Sequence, residues 1–147
     1  MQDNFAVSIQ LLLKAATAGT PHHEAVLTVF ATTPQYLLDA GFPALPIVIK
    51  GVTVDKCFFD HGITKGMLER LPAMITTPKA LYRSATHPDT AVVVAFETKD
   101  GSPLLVPVQP NRQTGRGSYN HVIASVYAKE PMIETRWTAN GLLLWKA

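Results

Sequence analysis

The sequence predicts an α+β fold in which N-terminal helices pack on a meandering antiparallel β-sheet. Three observations carry that expectation. Up to Thr77, apolar residues recur mostly at helical spacing between recognisable caps and stops. From Lys79 onward the period changes, and apolar residues gather into short β-branched runs separated by turn residues. Asp100 and Gly101 stand between two such runs, which is the strongest hairpin signal in the chain. Helices first and strands after is the order of an α+β domain.

In chain order, Asp3 or Asn4 caps a first helix whose Phe5, Ile9, Leu12 and Leu13 fall on one face, with Gly19 as its stop. Thr20 to Glu24 has the shape of a turn. Its His22–His23 pair is a metal candidate by residue type, but adjacent side chains diverge on any regular element, so the pair reads as exposed turn. Ala25 to Ala31 and Pro46 to Lys50 are short apolar runs expected to pair as strands. Between them Thr33 caps, Pro34 opens and Gly41 closes a short helix. Thr53 or Asp55 opens the next helix, which carries Cys57, Phe58 and Phe59 and stops at His61 and Gly62. Thr64 caps another, with Met67, Leu68, Leu71, Met74 and Ile75 along one side and a kink or break at Pro72.

Ala80 to Ser84 predicts a strand, and Thr86 to Asp89 a turn that takes in His87. Ala91 to Thr98 and Pro103 to Val108 are the hairpin arms. Pro107, which has no N–H to donate, marks the second arm as an edge or a bulged strand. Gln109 to Gly117 reads as a polar loop, Pro131 to Asn140 as a short helix and Gly141 to Trp145 as a final strand, with Trp137 and Trp145 in the core.

The chain has 147 residues, the length of one domain with a proper core. Apolar residues make up 47% and charged residues 16%, which excludes a disordered chain. No apolar run approaches the ~18 residues of a membrane span. Cys57 is the only cysteine, so no internal disulfide or cysteine-based zinc site can form, and a reducing, cytoplasmic setting is expected. No phosphate-binding loop, dinucleotide fingerprint or helical histidine pair is present, so no cofactor or metal is expected. A net charge of +2 does not by itself argue for nucleic acid. Between Gln109 and Lys129, however, Arg112, Arg116 and Lys129 face no acidic residue, a window able to meet a phosphate backbone.

That window contains the segment Ser118 to Lys129. As a strand, its alternation puts Tyr119, His121, Ile123, Ser125 and Tyr127 on one face and Asn120, Val122, Ala124, Val126 and Ala128 on the other. Four polar side chains in a row suit either a chemical site or an ordinary exposed face.

Several features in order carry a resemblance to a known family. They are Thr33, Pro34, Leu37 and Gly41; Leu45 to Ile49; Lys56, then His61 to Ile63; Leu71, Pro72 and Pro78; Ser84; Asp100 to Pro103; Asn120 to Lys129; and Gly141 to Trp145. In these the chain resembles the toxin-like domains at the C-termini of phage head-morphogenesis (MuF-type) proteins, grouped with the barnase–EndoU–colicin–RelE superfamily of small ribonucleases. The resemblance divides the domain, 1–147, into an N-terminal helical extension, 1–25, and a toxin-like nuclease core, 26–145. It implies RNA as substrate, cleavage to a 2′,3′-cyclic phosphate without metal, and a neutralising immunity or antitoxin protein as partner.

Such cleavage needs a base for the ribose 2′-hydroxyl, an acid for the leaving 5′-oxygen and donors for the phosphorane. His61 is the candidate base or acid, although a histidine also suits a helix end. Asn120, Ser125 and Tyr127 are candidates to bind the scissile phosphate or orient the base. Arg116 or Lys129 would stabilise its charge, Tyr119 would stack on a base, and His121 is a second acid–base candidate. The alternative is a non-catalytic phage-derived accessory module that binds a host protein, a reading the small net charge favours.

Overall fold

The computed structural model describes residues 4–99 and 101–147, with the side chains of residues 97–99 excepted. The predicted cap at Asp3 and the hairpin residue Asp100 lie outside the described residues. The first helix, α1 (Asn4–Thr17), buries Phe5, Ile9, Leu12 and Leu13, the stripe that its 3.6-residue period predicts. Strand β1 (Val26–Phe30) follows, then α2 (Gln35–Asp39) and β2 (Ile47–Lys50), which pairs antiparallel with β1. Thr33 does not cap α2. Its buried hydroxyl donates to the Leu45 carbonyl at 2.6 Å and accepts from the Leu45 N–H at 2.9 Å, tying down the loop beyond the helix.

Helix α3 (Gly51–Phe59) begins directly after β2, earlier than Thr53 or Asp55. The early start is possible because residue 51 has no Cβ: one built there would lie 2.1 Å from the His22 carbonyl oxygen. α3 ends as predicted. Gly62 takes φ 68°, and the Ile63 N–H donates to the Cys57 carbonyl. The following helical stretch is broken as Pro72 requires, into α4 (Lys65–Glu69), capped by the Thr64 hydroxyl, and α5 (Leu71–Thr76).

Strands β3 (Ala80–Arg83), β4 (Ala91–Lys99), β5 (Ser102–Gly115), β6 (Ser118–Ile123) and β7 (Tyr127–Ala128) come next, then α6 (Ile133–Ala139) and β8 (Leu143–Lys146). The sheet runs β1–β2–β6–β5–β4–β3–β8, with β7 paired to β5. These elements make an α+β fold. One pairing departs from an antiparallel meander: β2 runs parallel to β6, with Ile47 opposite His121 and Ile49 opposite Ile123. The predicted loop from Gln109 is instead the continuation of β5, bulged around Asn111, and only Arg116 and Gly117 form the turn.

Alternation along the strands divides the apolar side chains between two faces. Val93, Ala95, Leu104, Val106, Val108 and Ile123 face the N-terminal helices in the larger cluster, which also holds the buried residues of α1. Val92, Val94 and Leu105 face α6, together with Ala80 and Tyr82. Trp145 stacks on Tyr36 on the first face and Trp137 tilts against Tyr82 on the second.

Candidate functional site

The alternation predicted through Ser118–Lys129 fails at one place, and that place is the candidate site. Val108 is opposite Ile123 and Leu105 is opposite Tyr127, so residues 124–126 of one strand face only residues 106–107 of the other. The extra residue is a bulge, and it inverts the side-chain parity beyond it. Ile123 and Val126 both point to the N-terminal helices, whereas Tyr127 packs on the opposite face with Leu105 and Trp137. The row of polar residues is therefore not one face. Pro107 lies against this break, and its carbonyl accepts from the Ala124 N–H at 2.9 Å.

Two side chains fasten the break, Cys57 from the last turn of α3 and His61 from the bend just beyond its end. The Val126 N–H donates to Cys57 Sγ at 3.2 Å. Burial pushes the Cys57 thiol up, outweighing the hydrogen bonds from Val126 and Ser125 that lower it. His61 Nδ1 lies 3.1 Å from the Val126 carbonyl and 3.4 Å from Ser125 Oγ. A carbonyl can only accept, so Nδ1 carries the proton and Nε2 presents its lone pair. The His61 ring is half-buried and meets Tyr127 edge-on, with ring centroids 6.3 Å apart. Burial raises the Tyr127 hydroxyl, which keeps it a donor.

On the α6 face, Tyr127 and Lys129 line a cleft of about 470 Å³ with His87, Gln109 and Trp137. His61 and Ser125 are not among the residues that line this cleft; His61 contacts Ser125 and the Tyr127 ring, and Tyr127 shares the cleft with Lys129. Three other candidates lie elsewhere. Asn120 donates to the Thr114 hydroxyl and borders a separate hollow with Ser118 and Val48. Arg116 sits in the exposed β5–β6 turn, and exposed Tyr119 is paired opposite Gln113 on that hairpin.

His121 is corrected outright as a substrate-binding residue. It is fully buried, its Nε2 donates to the Pro43 carbonyl at 2.7 Å, and its Nδ1 accepts the Asn111 N–H at 3.1 Å. Both nitrogens are committed to the chain, and the ring packs on Phe42. Burial lowers its pKa.

Sequence reasoning overlooked the part played by Cys57, which lies in the last turn of α3 four residues before His61. It also left His87, Gln109 and Trp137 out of the site, and no local signal joins residues so far apart. A further hollow against α6 has four of its polar side chains already paired, Lys79 with Glu134 at 2.8 Å and Tyr82 with Thr138 at 3.1 Å.

Among the described residues, no helix is long and apolar enough to cross a membrane. A family model described as the phage MuF C-terminal domain matches residues 56–147. No curated protein and no solved structure matches the chain. The matched span carries His61, Ser125, Tyr127 and Lys129, while residues 26–55 of the resembling region lie outside it.

Proposed function

This chain belongs to the phage MuF C-terminal domain family, and from that premise we propose that it is a toxin-like endoribonuclease domain acting at the β6–β7 break. The observation that carries the reading is the orientation of His61. Its Nδ1–H is held by the Val126 carbonyl, which leaves Nε2 as a base. In the proposed step Nε2 takes the proton of a ribose 2′-hydroxyl and the 2′-oxygen attacks phosphorus. The P–O5′ bond breaks, the 5′-oxygen takes a proton from water, and the His61 imidazolium returns its proton to the hydroxide left behind. The products are a 2′,3′-cyclic phosphate and a 5′-hydroxyl. The Tyr127 O–H and the Lys129 ammonium would stabilise the phosphorane oxygens. The cluster of His61, Ser125 and Tyr127 contains no carboxylate of the kind that holds catalytic Mg²⁺, which supports metal-independent chemistry. A neutralising immunity or antitoxin protein would act by covering this cleft.

The test is incubation of the purified protein with total tRNA and a synthetic single-stranded RNA, in EDTA and separately with added Zn²⁺, followed by end-group analysis. Fragments ending in cyclic phosphate are expected, with His61→Ala lowering the rate at least about 100-fold and Tyr127→Phe lowering it less. Intact RNA in both conditions would sink the nuclease reading. The net charge of +2 then favours the second reading, a non-catalytic accessory module docking on a host protein.

A further inference from the structure

The turn between α1 and β1 brings together two side chains expected to diverge. His22 Nε2 lies 3.2 Å from Asp55 Oδ1, and His23 Nε2 lies 3.2 Å from Asp55 Oδ2, so two imidazoles bracket one carboxylate. They converge because residues 22 and 23 lie in a loop, where the opposed directions of a strand do not apply. We propose that His22, His23 and Asp55 form a binding site for a first-row divalent cation such as Zn²⁺, which staples this loop to α3.

The argument begins with a proton. His22 Nδ1 lies 3.1 Å from the Thr20 carbonyl, which can only accept, so Nδ1 carries the hydrogen and Nε2 is a bare lone pair. That lone pair is buried, lacks a hydrogen-bond partner, and faces a carboxylate oxygen. Two acceptors at 3.2 Å with no hydrogen between them repel, and a cation between them removes the repulsion. A backbone carbonyl on the far nitrogen is also the usual support of a metal-binding histidine, because it fixes the tautomer and the ring plane.

The geometry suits the ion. One donor atom from each of the three residues can be chosen so that all lie within 4.8 Å of one another. The 3.2 Å nitrogen–oxygen separations match the edge of about 3.3 Å between ligands set about 2.0 Å from a tetrahedral zinc ion. Two imidazoles and one carboxylate are a ligand set for zinc and its neighbours rather than for Ca²⁺ or Mg²⁺. His23 becomes a ligand by moving its proton to Nδ1, which its exposure permits. The remaining coordination positions face a hollow of about 350 Å³ lined by Pro21, His22, His23, Glu24 and Ala25, where water completes the shell.

The frame is in place before any ion arrives. The Gly51 N–H donates to the Ala25 carbonyl at 2.7 Å and the Val52 N–H to the His23 carbonyl at 3.2 Å, so the loop already rests on the first turn of α3. Asp55 stands one turn beyond Gly51 on that helix. All three ligands precede the family-matched span, so the site belongs to the N-terminal part of this chain and does not depend on the proposed nuclease reading.

The test is thermal unfolding of the tag-free, metal-stripped chain with ZnCl₂, together with Co²⁺ absorption spectroscopy. At Zn²⁺ about 100-fold above its dissociation constant, the expected rise in Tm is about 5–10 °C. Co²⁺ should give visible bands of a low-coordinate nitrogen–oxygen site. His23→Ala and Asp55→Asn should each abolish both responses. His23 is largely exposed, so its variant tests the site even if Asp55→Asn fails to fold. No Tm rise in the wild type with ZnCl₂ up to 100-fold molar excess over protein, or an equal rise in His23→Ala, would overturn the proposal.

Discussion

His61 and His121 show how one residue type acquires opposite fates from its partners. His61 uses one nitrogen to fix its ring and presents the other, while His121 has both nitrogens committed inside the core. Burial depresses the His121 pKa below the ordinary value of about 6.5, so the unfolded chain binds the proton more readily than the folded one. The contribution of neutral His121 is therefore fully present above about pH 6.5 and is lost as pH falls from there through the depressed folded-state value. Urea midpoints should drop between pH 7 and pH 5.5, and His121→Leu should flatten that dependence. At pH 7 the same substitution should cost about 2–4 kcal/mol, because it orphans the Asn111 N–H and the Pro43 carbonyl. A slope equal to that of the wild type would show that other groups control the acid response.

Among the elements, α3 and the β6–β7 bulge do most to set the site. The Gly51 start lets α3 follow β2 without a linker, and α3 then delivers Asp55 and Cys57 to their partners, with His61 in the bend just beyond its end. Gly51→Ala should be destabilising by about 1–3 kcal/mol, since its Cβ would meet the His22 backbone oxygen, which cannot swing away. Gly66→Ala is the control. Its Cβ would lie 3.4 Å from the flexible end of Arg70, and the helical alanine should be neutral or stabilising by about 0.5–1 kcal/mol. Equal losses in urea titrations of the two variants would show that steric closeness at Gly51 is not what matters. The bulge works by parity. Its extra residue sends Tyr127 to the α6 face while Val126 stays under the N-terminal helices, so the site joins both sides of the sheet.

For the whole molecule, the boundary of the family match and the boundary of the core do not coincide. The match begins at Lys56, yet Phe5, Ile9, Leu12, Leu37, Ile47 and Ile49 are buried in one cluster with Leu71, Val93 and Ile123. Strand β2 also supplies the parallel neighbour of β6. A chain starting at Lys56 would expose that apolar surface, and the loss of six buried large side chains, each worth about 1.5–3 kcal/mol, reaches the net stability of a typical domain, about 5–15 kcal/mol. The truncated chain should lack the near-ultraviolet circular dichroism and dispersed amide spectrum of the full one. A dispersed spectrum from residues 56–147 would show that the matched region folds unaided.

The periods of helix and strand are local, and so were legible in the sequence. The stripe of α1, the Thr64 cap, the break at Pro72, the stop at Gly62 and the strand pair at either side of α2 all follow from neighbours within a few residues. Pro107 even signalled a disturbed strand, because a missing N–H is a property of the residue itself. Which disturbance it marked was settled elsewhere, by a bulge in β6–β7 that depends on the pairing of both with β5. The same holds for the histidines. His22, His23, His61 and His121 look alike in the sequence, and they part company only when Asp55, Val126, Pro43 and Asn111 come within hydrogen-bonding distance. Sequence determined the elements and the face each helix buries, since those depend on short-range sterics and periodicity. Tertiary structure alone decided the register, the parity beyond the bulge and the partners of each imidazole, because contacts across dozens of residues leave no periodic trace along the chain.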